Sequence, residues 1–434
     1  MKSEPNLRIT IASGVRGDTR RYRTFHLYEQ CCLLGLSAHL THTMLLEFQA
    51  AVHHADLLVL HRCAWDPGIQ MAIDDIHSRG GRVIYDTDDL LFNPEVFKWI
   101  DSPDFQDPVR ANLYREEMLR LRQCMELSDA IMTSTPYLAG QAEVLGLPTF
   151  IHRNAFSSEM LTQADRVLGS HKTGDDEKIV IGYASGTLTH NRDFETIGQA
   201  LRNILDEHNR VVLWLVGQVK PGRDWMKYRS RILQLPHVPW KLLPAYLARF
   251  DINLAPLVLD NPFSQSKSEI KWMEAALVRT PTIASGTDIF QAAIKSGSTG
   301  IVALSLADWQ AALSMLIAEK NKRLRMGAAA REAVLRSYSP RVRADELRLI
   351  IQKVTGRSIV KEHPIKKLPA GTAAYVSKDY DYREVDRLEK KPSLLSMAGY
   401  SLRYRGMGTL IKQLWAFTRR LVSPIIPYKK LRVR

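Results

Sequence analysis

The chain has 434 residues, 45% of them hydrophobic, with a formal net charge of +14, too long for one ordinary core and long enough for two domains of roughly 150 to 200 residues each. No apolar run reaches the roughly 18 residues of a transmembrane helix, and the N-terminus MKSEPNLRITIAS sets a strand where a secretory signal would set its apolar core, so a cytoplasmic protein is expected. From Val360 to the end, 17 basic and 6 acidic residues supply +11 of the +14, which leaves a nearly neutral globular part and argues against a basic nucleic-acid-binding core.

In chain order, Leu7 to Ala12 is a strand-like run that ends in Ser13-Gly14-Val15-Arg16-Gly17, and a helical pattern through Phe25, Leu27, Cys31 and Leu34 stops at Gly35. A second strand at Asp56 to Leu60 ends in His61-Arg62, a helix is predicted near Pro67 to Ser78, and Arg82 to Tyr85 runs into Asp86-Thr87-Asp88-Asp89. A helix near Arg110 to Leu127, a strand at Ala130 to Ser134, a helix start at Thr135-Pro136 and a strand at Thr149 to Asn154 complete the first half. The polar stretch Ser170 to Lys178 reads as a linker. The pattern then restarts, with strands at Ile179 to Ala184, Val211 to Val216, Ile252 to Leu257, Thr282 to Ser285 and Ile301 to Leu304, and a last helix at Arg341 to Val354 that could cross back to the first domain. Alternating strands and helices in two rounds predict two doubly wound parallel-sheet domains in tandem, with a cleft facing the carboxyl ends of both sheets. The expected boundaries are 1–168, 169–356 and a basic tail 357–434. Cys31, Cys32, Cys63 and Cys124 lack C-x-x-C spacing and read as reduced structural thiols.

The segment Asn261 to Ser285 carries the clearest chemistry. Ser266 and Glu269 fit an S-x-x-E capping box, which predicts a helix from about Lys267 to the Arg279-Thr280-Pro281 break. Lys267, Lys271 and Glu274 then share one stripe. Two ammonium groups suit a diphosphate, and a carboxylate one or two turns on can accept both hydroxyls of a ribose. A solvated helix face with one salt bridge is the alternative.

Ile181 to Phe194, IGYASGTLTHNRDF, taken with Asp251 to Ser285, resembles bacterial GT-B glycosyltransferases of the family 4 or family 1 type, as do Tyr22-Arg23, the Tyr85 to Asp89 strand end and Lys271-x-x-Glu274-Ala275. The resemblance spans about Ile9 to Val354 and implies two Rossmann-like domains, with the nucleotide sugar held mainly by the second and the acceptor mainly by the first. It also departs from the pattern. Ser266 stands where the first of two glutamates eight positions apart is usual, and no lysine accompanies Arg192 after the first strand of the second domain.

On this reading Gly186, Thr187, His190, Arg192, Lys267, Lys271 and Glu274 are expected on the donor, and Tyr22 and Arg23 on an anionic acceptor such as a lipid diphosphate. Asp88, Asp86, His61 and Asp18 are the candidate bases, and Trp240 lies in the loop region where such enzymes often seat the nucleobase. Asp86-x-Asp88-Asp89 also invites a divalent-ion reading of the GT-A type. Two α/β halves argue against it, so no metal and no tightly bound cofactor are expected, only a nucleotide-diphosphate sugar as co-substrate. In the tail, Met407, Leu410, Ile411, Leu414, Leu421 and Val422 form an apolar helical stripe. Trp415 and Phe417 flank it, and Lys412, Arg419, Arg420, Lys429, Lys430, Arg432 and Arg434 supply charge, the pattern of a helix lying on an anionic membrane.

The expected function is sugar transfer to a glycan or lipid-linked acceptor in bacterial cell-surface polysaccharide synthesis, peripheral to the inner face of the membrane. Docking of the tail on the globular part, a disordered basic end, a nucleotide-sugar epimerase, a non-catalytic scaffold of the same fold, and a transferase acting on nucleic acid are the alternatives.

Overall fold

The computed structural model describes residues 7–100, 102–170, 177–186 and 190–359, together with 385, 388, 398–408 and 411. Among the described residues are two six-stranded sheets, each parallel throughout. The first has the order β2-β1-β3-β4-β5-β6, from strands Ser37–His42, Arg8–Ser13, Leu57–His61, Arg82–Thr87, Ala130–Thr133 and Thr149–Ile151. The second has the order β12-β11-β10-β7-β8-β9, from Ile301–Ala303, Thr282–Ser285, Ile252–Ala255, Ile179–Ser185, Val211–Gly217 and Ile232–Leu235. Both are doubly wound, and each reverses its strand order beside its own first strand, where ligands of such sheets bind.

The central strands are buried on both faces, β3 being LLVLH with every residue buried, as parallel sheets require. β2 and β9 are the two strands missing from the sequence reading. Both lie at sheet edges, and their patterns SAHLTH and ILQL are short and partly exposed, so they carry no clean apolar run. Gly35 (φ 69°) stops the first helix as expected.

The chain passes between the domains twice. The helix Ser158–Ser170, not foreseen in the sequence, sends Met160, Leu161 and Ala164 into the core formed by Trp272, Leu277 and Phe290 of the second domain. The helix Pro340–Thr355 returns and packs Leu347, Ile350 and Ile351 against Phe25, Leu27 and Cys31 of the first. Buried polar contacts reinforce the crossing. Asn154 donates to Ser268 Oγ (2.9 Å), and the Glu29 carboxylate accepts from the Ser158 backbone N–H at 3.0 Å. Burial lifts the Glu29 carboxyl to about 7, with the Ser158 hydrogen bonds opposing.

No helix among the described residues is long and apolar enough to cross a membrane. The basic stripe from Lys412 onward, and Leu410, lie outside the described residues. The segment 398–408 is described and rests on the first domain, where the Tyr400 phenol and the Arg405 guanidinium both reach Asp66.

Candidate functional site

Between the two sheets, at their carboxyl ends, lies a cavity of about 260 Å3. Its second-domain wall comes from the ends of β7, β8 and β10 (Ser185, Gly186, Gly217, Leu257), from Val238 and Trp240, and from Lys267, Lys271 and Glu274. Two glycines shape it. Gly217 takes φ 98°, and a Cβ there would stand 2.0 Å from the Ser185 carbonyl oxygen, so only glycine lets β7 and β8 end side by side. A Cβ on Gly186 would meet nothing nearer than Asp18 Oδ2 of the opposite domain at 4.0 Å, so this backbone faces open space inside the cleft.

The helix carrying the expected diphosphate contacts is shorter than the capping box suggested. It runs Ile270–Leu277, and its N-cap Glu269 makes no capping bond with its side chain. Ser266 Oγ instead donates to the Phe263 carbonyl (2.7 Å), and Glu269 accepts from the Tyr338 phenol (2.6 Å). The tertiary partner wins because both side chains are buried, where an unpaired carboxylate is expensive. Lys267 therefore precedes the helix, yet its ammonium still reaches the cavity, 2.5 Å from Asp89 Oδ1 and 4.0 Å above the Phe263 ring. Lys271 lies on the first turn and donates to the Ala184 carbonyl. Burial lowers its pKa, Lys267 adds to that, and Glu274 and Asp193 oppose it. Burial raises the Glu274 carboxyl, against Arg21, Tyr22 and Lys271.

The first-domain wall is Asp18, Thr19, Arg21, Tyr22, Asp88 and Asp89. A π-helical turn at Arg21–Phe25 places Arg21 and Tyr22 on the cavity and Arg23 in the core. The Arg21 guanidinium lies 4.5 Å over the Tyr22 ring and 4.8 Å over Trp240, and is 3.6 Å from Asp18. Asp88 is the cavity carboxylate with the most support. His61 Nε2 is 3.4 Å from it, Arg62 Nη1 3.5 Å, and the Thr19 hydroxyl donates to it. Burial pushes the Asp88 carboxyl up, but His61, Arg62 and Thr19 together hold it well below the usual range. Arg62, whose backbone is left-handed (φ 48°), also bridges to Asp89 at 3.2 Å.

Of the residues expected from sequence, the structure brings Asp18, Tyr22, Asp88, Gly186, His190, Lys267, Lys271 and Glu274 to this one cavity. His61 stands behind Asp88, fully buried. Arg23 and Asp86 are corrected. They form a buried pair, Arg23 Nε to Asp86 Oδ2 at 3.0 Å, and Arg23 also donates to the His152 carbonyl and Asn154 Oδ1. With 2% and 0% exposure, neither lines the cavity. Arg192 is exposed and does not line the cavity. His190 does, with Nδ1 2.8 Å from Asp193. Thr187 lies outside the described residues. Arg21, Thr19 and Asp89 were missed as wall residues. Arg21 sits beside two residues that the resemblance did single out, but nothing in its spacing separates it from Arg20 or Arg23. In the D-x-D-D run every carboxylate faces a cation: Arg23 on Asp86, Arg62 shared by Asp88 and Asp89, and Lys267 on Asp89. Among the described residues, no group of three His, Cys, Asp or Glu side chains is placed to hold a metal ion.

Residues 192–348, which supply Lys267, Lys271 and Glu274, match the family model described as glycosyl transferase-like. The match lies within the second domain. The fold agrees across both halves. HepE of Anabaena, solved in complex with UDP and glucose, superposes with a TM-score of 0.52 at 12% identity, covering 80% of this chain and 100% of that one. Its complex with UDP-glucose gives 0.52 at 13%, with the same coverage. A sucrose-phosphate synthase of Thermosynechococcus elongatus gives 0.54 at 14%, covering 81% of this chain and 100% of that one. No curated protein is significantly similar in sequence. The two facing Rossmann-like domains thus have the GT-B fold, and the segment that matches the family model supplies the Lys271 wall of the cavity.

Proposed function

We propose that this chain is a GT-B transferase that moves a hexose-type sugar from a nucleotide diphosphate to a glycan or lipid-linked acceptor of a bacterial cell-surface polysaccharide. The observation that carries the reading is the convergence of Lys267, Lys271, Glu274 and the open Gly186 backbone on one cavity between the two domains, the three charged residues lying in the segment that matches a glycosyl transferase-like model. HepE, of the same fold, was solved with UDP and glucose.

Breaking a bond from an anomeric carbon to a diphosphate needs cations and amide donors at the departing oxygens. Lys271 and Lys267 supply the charge, and the Gly186 backbone permits close approach. Glu274 takes the ribose hydroxyls, and Trp240 with Val238 gives the apolar surface for the base. On the opposite wall, Asp88 is an ionised carboxylate fixed by His61 and Arg62. A group held that far below the usual range is a weak base, so its role is to orient the acceptor hydroxyl and to offset positive charge developing on the sugar. The acceptor is taken by the first domain, next to Tyr22 and Asp18. The basic tail places the enzyme at the inner face of the cytoplasmic membrane, a reading supported by Met407 and Ile411, which are 57% and 58% exposed.

Thermal-shift screening of UDP, GDP, dTDP and their sugars tests this, with Lys271→Ala and Glu274→Ala in parallel. A ligand at 100 times its Kd stabilises by about 2.7 kcal/mol. The expected result is stabilisation by one nucleotide, weakened at least tenfold in each variant. Stabilisation by none of them ends the transferase reading, and equal binding by the variants ends the donor-site assignment.

A further inference from the structure

His190 lines the donor cavity, and its imidazole is held from behind by a carboxylate that does not. The Tyr183 phenol fixes the backbone there by donating to the His190 carbonyl (3.4 Å). Asp193, three residues on, is 5% exposed, and its Oδ2 lies 2.8 Å from His190 Nδ1. Its Oδ1 accepts from the Val258 backbone N–H at 3.1 Å and from the Ser264 hydroxyl at 3.5 Å. Both carboxylate oxygens are acceptors, so Nδ1 carries the ring proton toward Asp193. Among the described residues Nε2 makes no hydrogen bond. With the ring on the wall and Asp193 behind it, the edge bearing Nε2 is what His190 presents to a ligand.

Asp193 also joins two parts of the wall. Val258 follows β10, and Ser264 lies on the helix Pro262–Gln265 just before Lys267. One carboxylate therefore ties the His190 turn to the segment that brings Lys267 to the cavity. Lys267 lines both the cavity and a small side recess with His190, where Arg192 flanks them. Lys271 Nζ lies 5.0 Å over the Tyr183 ring, whose phenol holds His190. From the first domain, Asp18, Asp88 and Asp89 share the cavity. Burial lowers the imidazole's pKa, the Asp193 hydrogen bond opposes that, and Lys271 and Lys267 lower it further. The ring is thus neutral at neutral pH. A diphosphate brings negative charge to the same two ammonium groups, offsets their repulsion and offers Nε2 an oxygen. An imidazolium between a carboxylate and a phosphate is then favoured over the neutral ring.

From this geometry we infer that His190 binds a phosphate oxygen of the donor diphosphate through Nε2, that Asp193 is its positioning residue, and that the pair takes up a proton as the donor binds. The identity of the ligand rests on the transferase reading above.

Calorimetric titration of UDP-glucose into the full-length protein near neutral pH, in HEPES and in Tris, measures affinity and proton uptake together. The observed heat shifts with the ionisation enthalpy of the buffer in proportion to the protons taken up, and the diphosphate of UDP-glucose has no titrating proton of its own in that range. Wild type is expected to take up about one proton per donor bound. His190→Gln is expected to take up none and to bind about tenfold more weakly, the loss of a charged hydrogen bond. Asp193→Asn leaves either Nδ1 or the Val258 N–H facing an amide NH2, and is expected to lose the uptake as well. If that buried substitution does not fold, His190→Gln decides alone. Binding by wild type without uptake overturns the inference, as does uptake that persists in His190→Gln, which assigns the proton to Lys271. Uptake retained in a folded Asp193→Asn overturns the positioning role. Each of these outcomes leaves the donor site itself in place. Failure of UDP-glucose, GDP-glucose and dTDP-glucose all to bind takes down the transferase reading and this inference with it.

Discussion

The Tyr22 phenol of the first domain donates a hydrogen bond to the Glu274 carboxylate of the second, across the cavity. Glu274 is thus occupied by a protein group at the oxygens proposed for the ribose, and Lys267 is similarly engaged by Asp89. Donor binding must exchange these cross-cleft contacts for its own.

Tyr22→Phe tests that exchange. Removing the phenol leaves Glu274 to the ligand, and a hydrogen bond to a charged group is worth about 1.5 to 3 kcal/mol, part of which the ribose no longer has to displace. Nucleotide affinity measured by calorimetry is expected to rise about two- to tenfold in the variant, while the KM for acceptor increases. A weaker nucleotide complex would contradict the arrangement.

Asp88 bears on turnover rather than on donor affinity. His61, Arg62 and Thr19 keep it ionised well below the usual carboxylate range, so it contributes no titration to the rate at neutral pH. Asp88→Asn is expected to lower kcat about a hundredfold with nucleotide Kd unchanged. The acid limb of the wild-type pH–rate profile should not move in His61→Gln, where Asp88 keeps Arg62.

The Arg23–Asp86 pair acts on stability. Removing one partner of a buried ion pair typically loses about 3 to 5 kcal/mol, because the other charge is left uncompensated. Urea denaturation of Arg23→Met and Asp86→Leu should each show a loss of that order. The double variant should lose less than either single one, and a double-variant loss equal to the sum would show that the two residues are energetically independent.

Glu29 sets a pH dependence at the domain crossing. Its carboxyl is raised from 4.5 to about 7, so the unfolded chain loses this proton near 4.5 and the folded chain keeps it to about 7. Between those values the folded state binds more protons, and stability from this group is present at pH 5 and lost as pH rises through 7. At about 1.4 kcal/mol per unit, the difference between wild type and Glu29→Gln should change by on the order of 3 kcal/mol from pH 4.5 to 7.5. His26, lowered to about 3 by burial with Arg21 and Arg23 adding to it, runs in the opposite direction and cancels in that difference. A constant difference across the range would mean that Glu29 is ionised in the fold.

Periodicity and turn residues in the sequence determined ten of the twelve strands among the described residues, the two-domain repeat, and the cleft at the carboxyl strand ends. These are local properties: an apolar run followed by a glycine or Asx turn reads the same wherever it packs. The i, i+3 relation of Lys271 to Glu274 was equally fixed, because a helix repeats by itself. The tertiary structure decided which charged residues remain for chemistry. Ser266 and Glu269 matched a capping box, but Phe263 and Tyr338 took their side chains. Asp86 and Asp88 are two residues apart on one strand end, and only packing put a guanidinium against the first and the cavity against the second. Tyr22 and Glu274 are 252 residues apart, and Arg405 and Asp66 are 339 apart. Contacts of that separation are set by burial and charge pairing in the folded chain, so no spacing in the sequence could announce them.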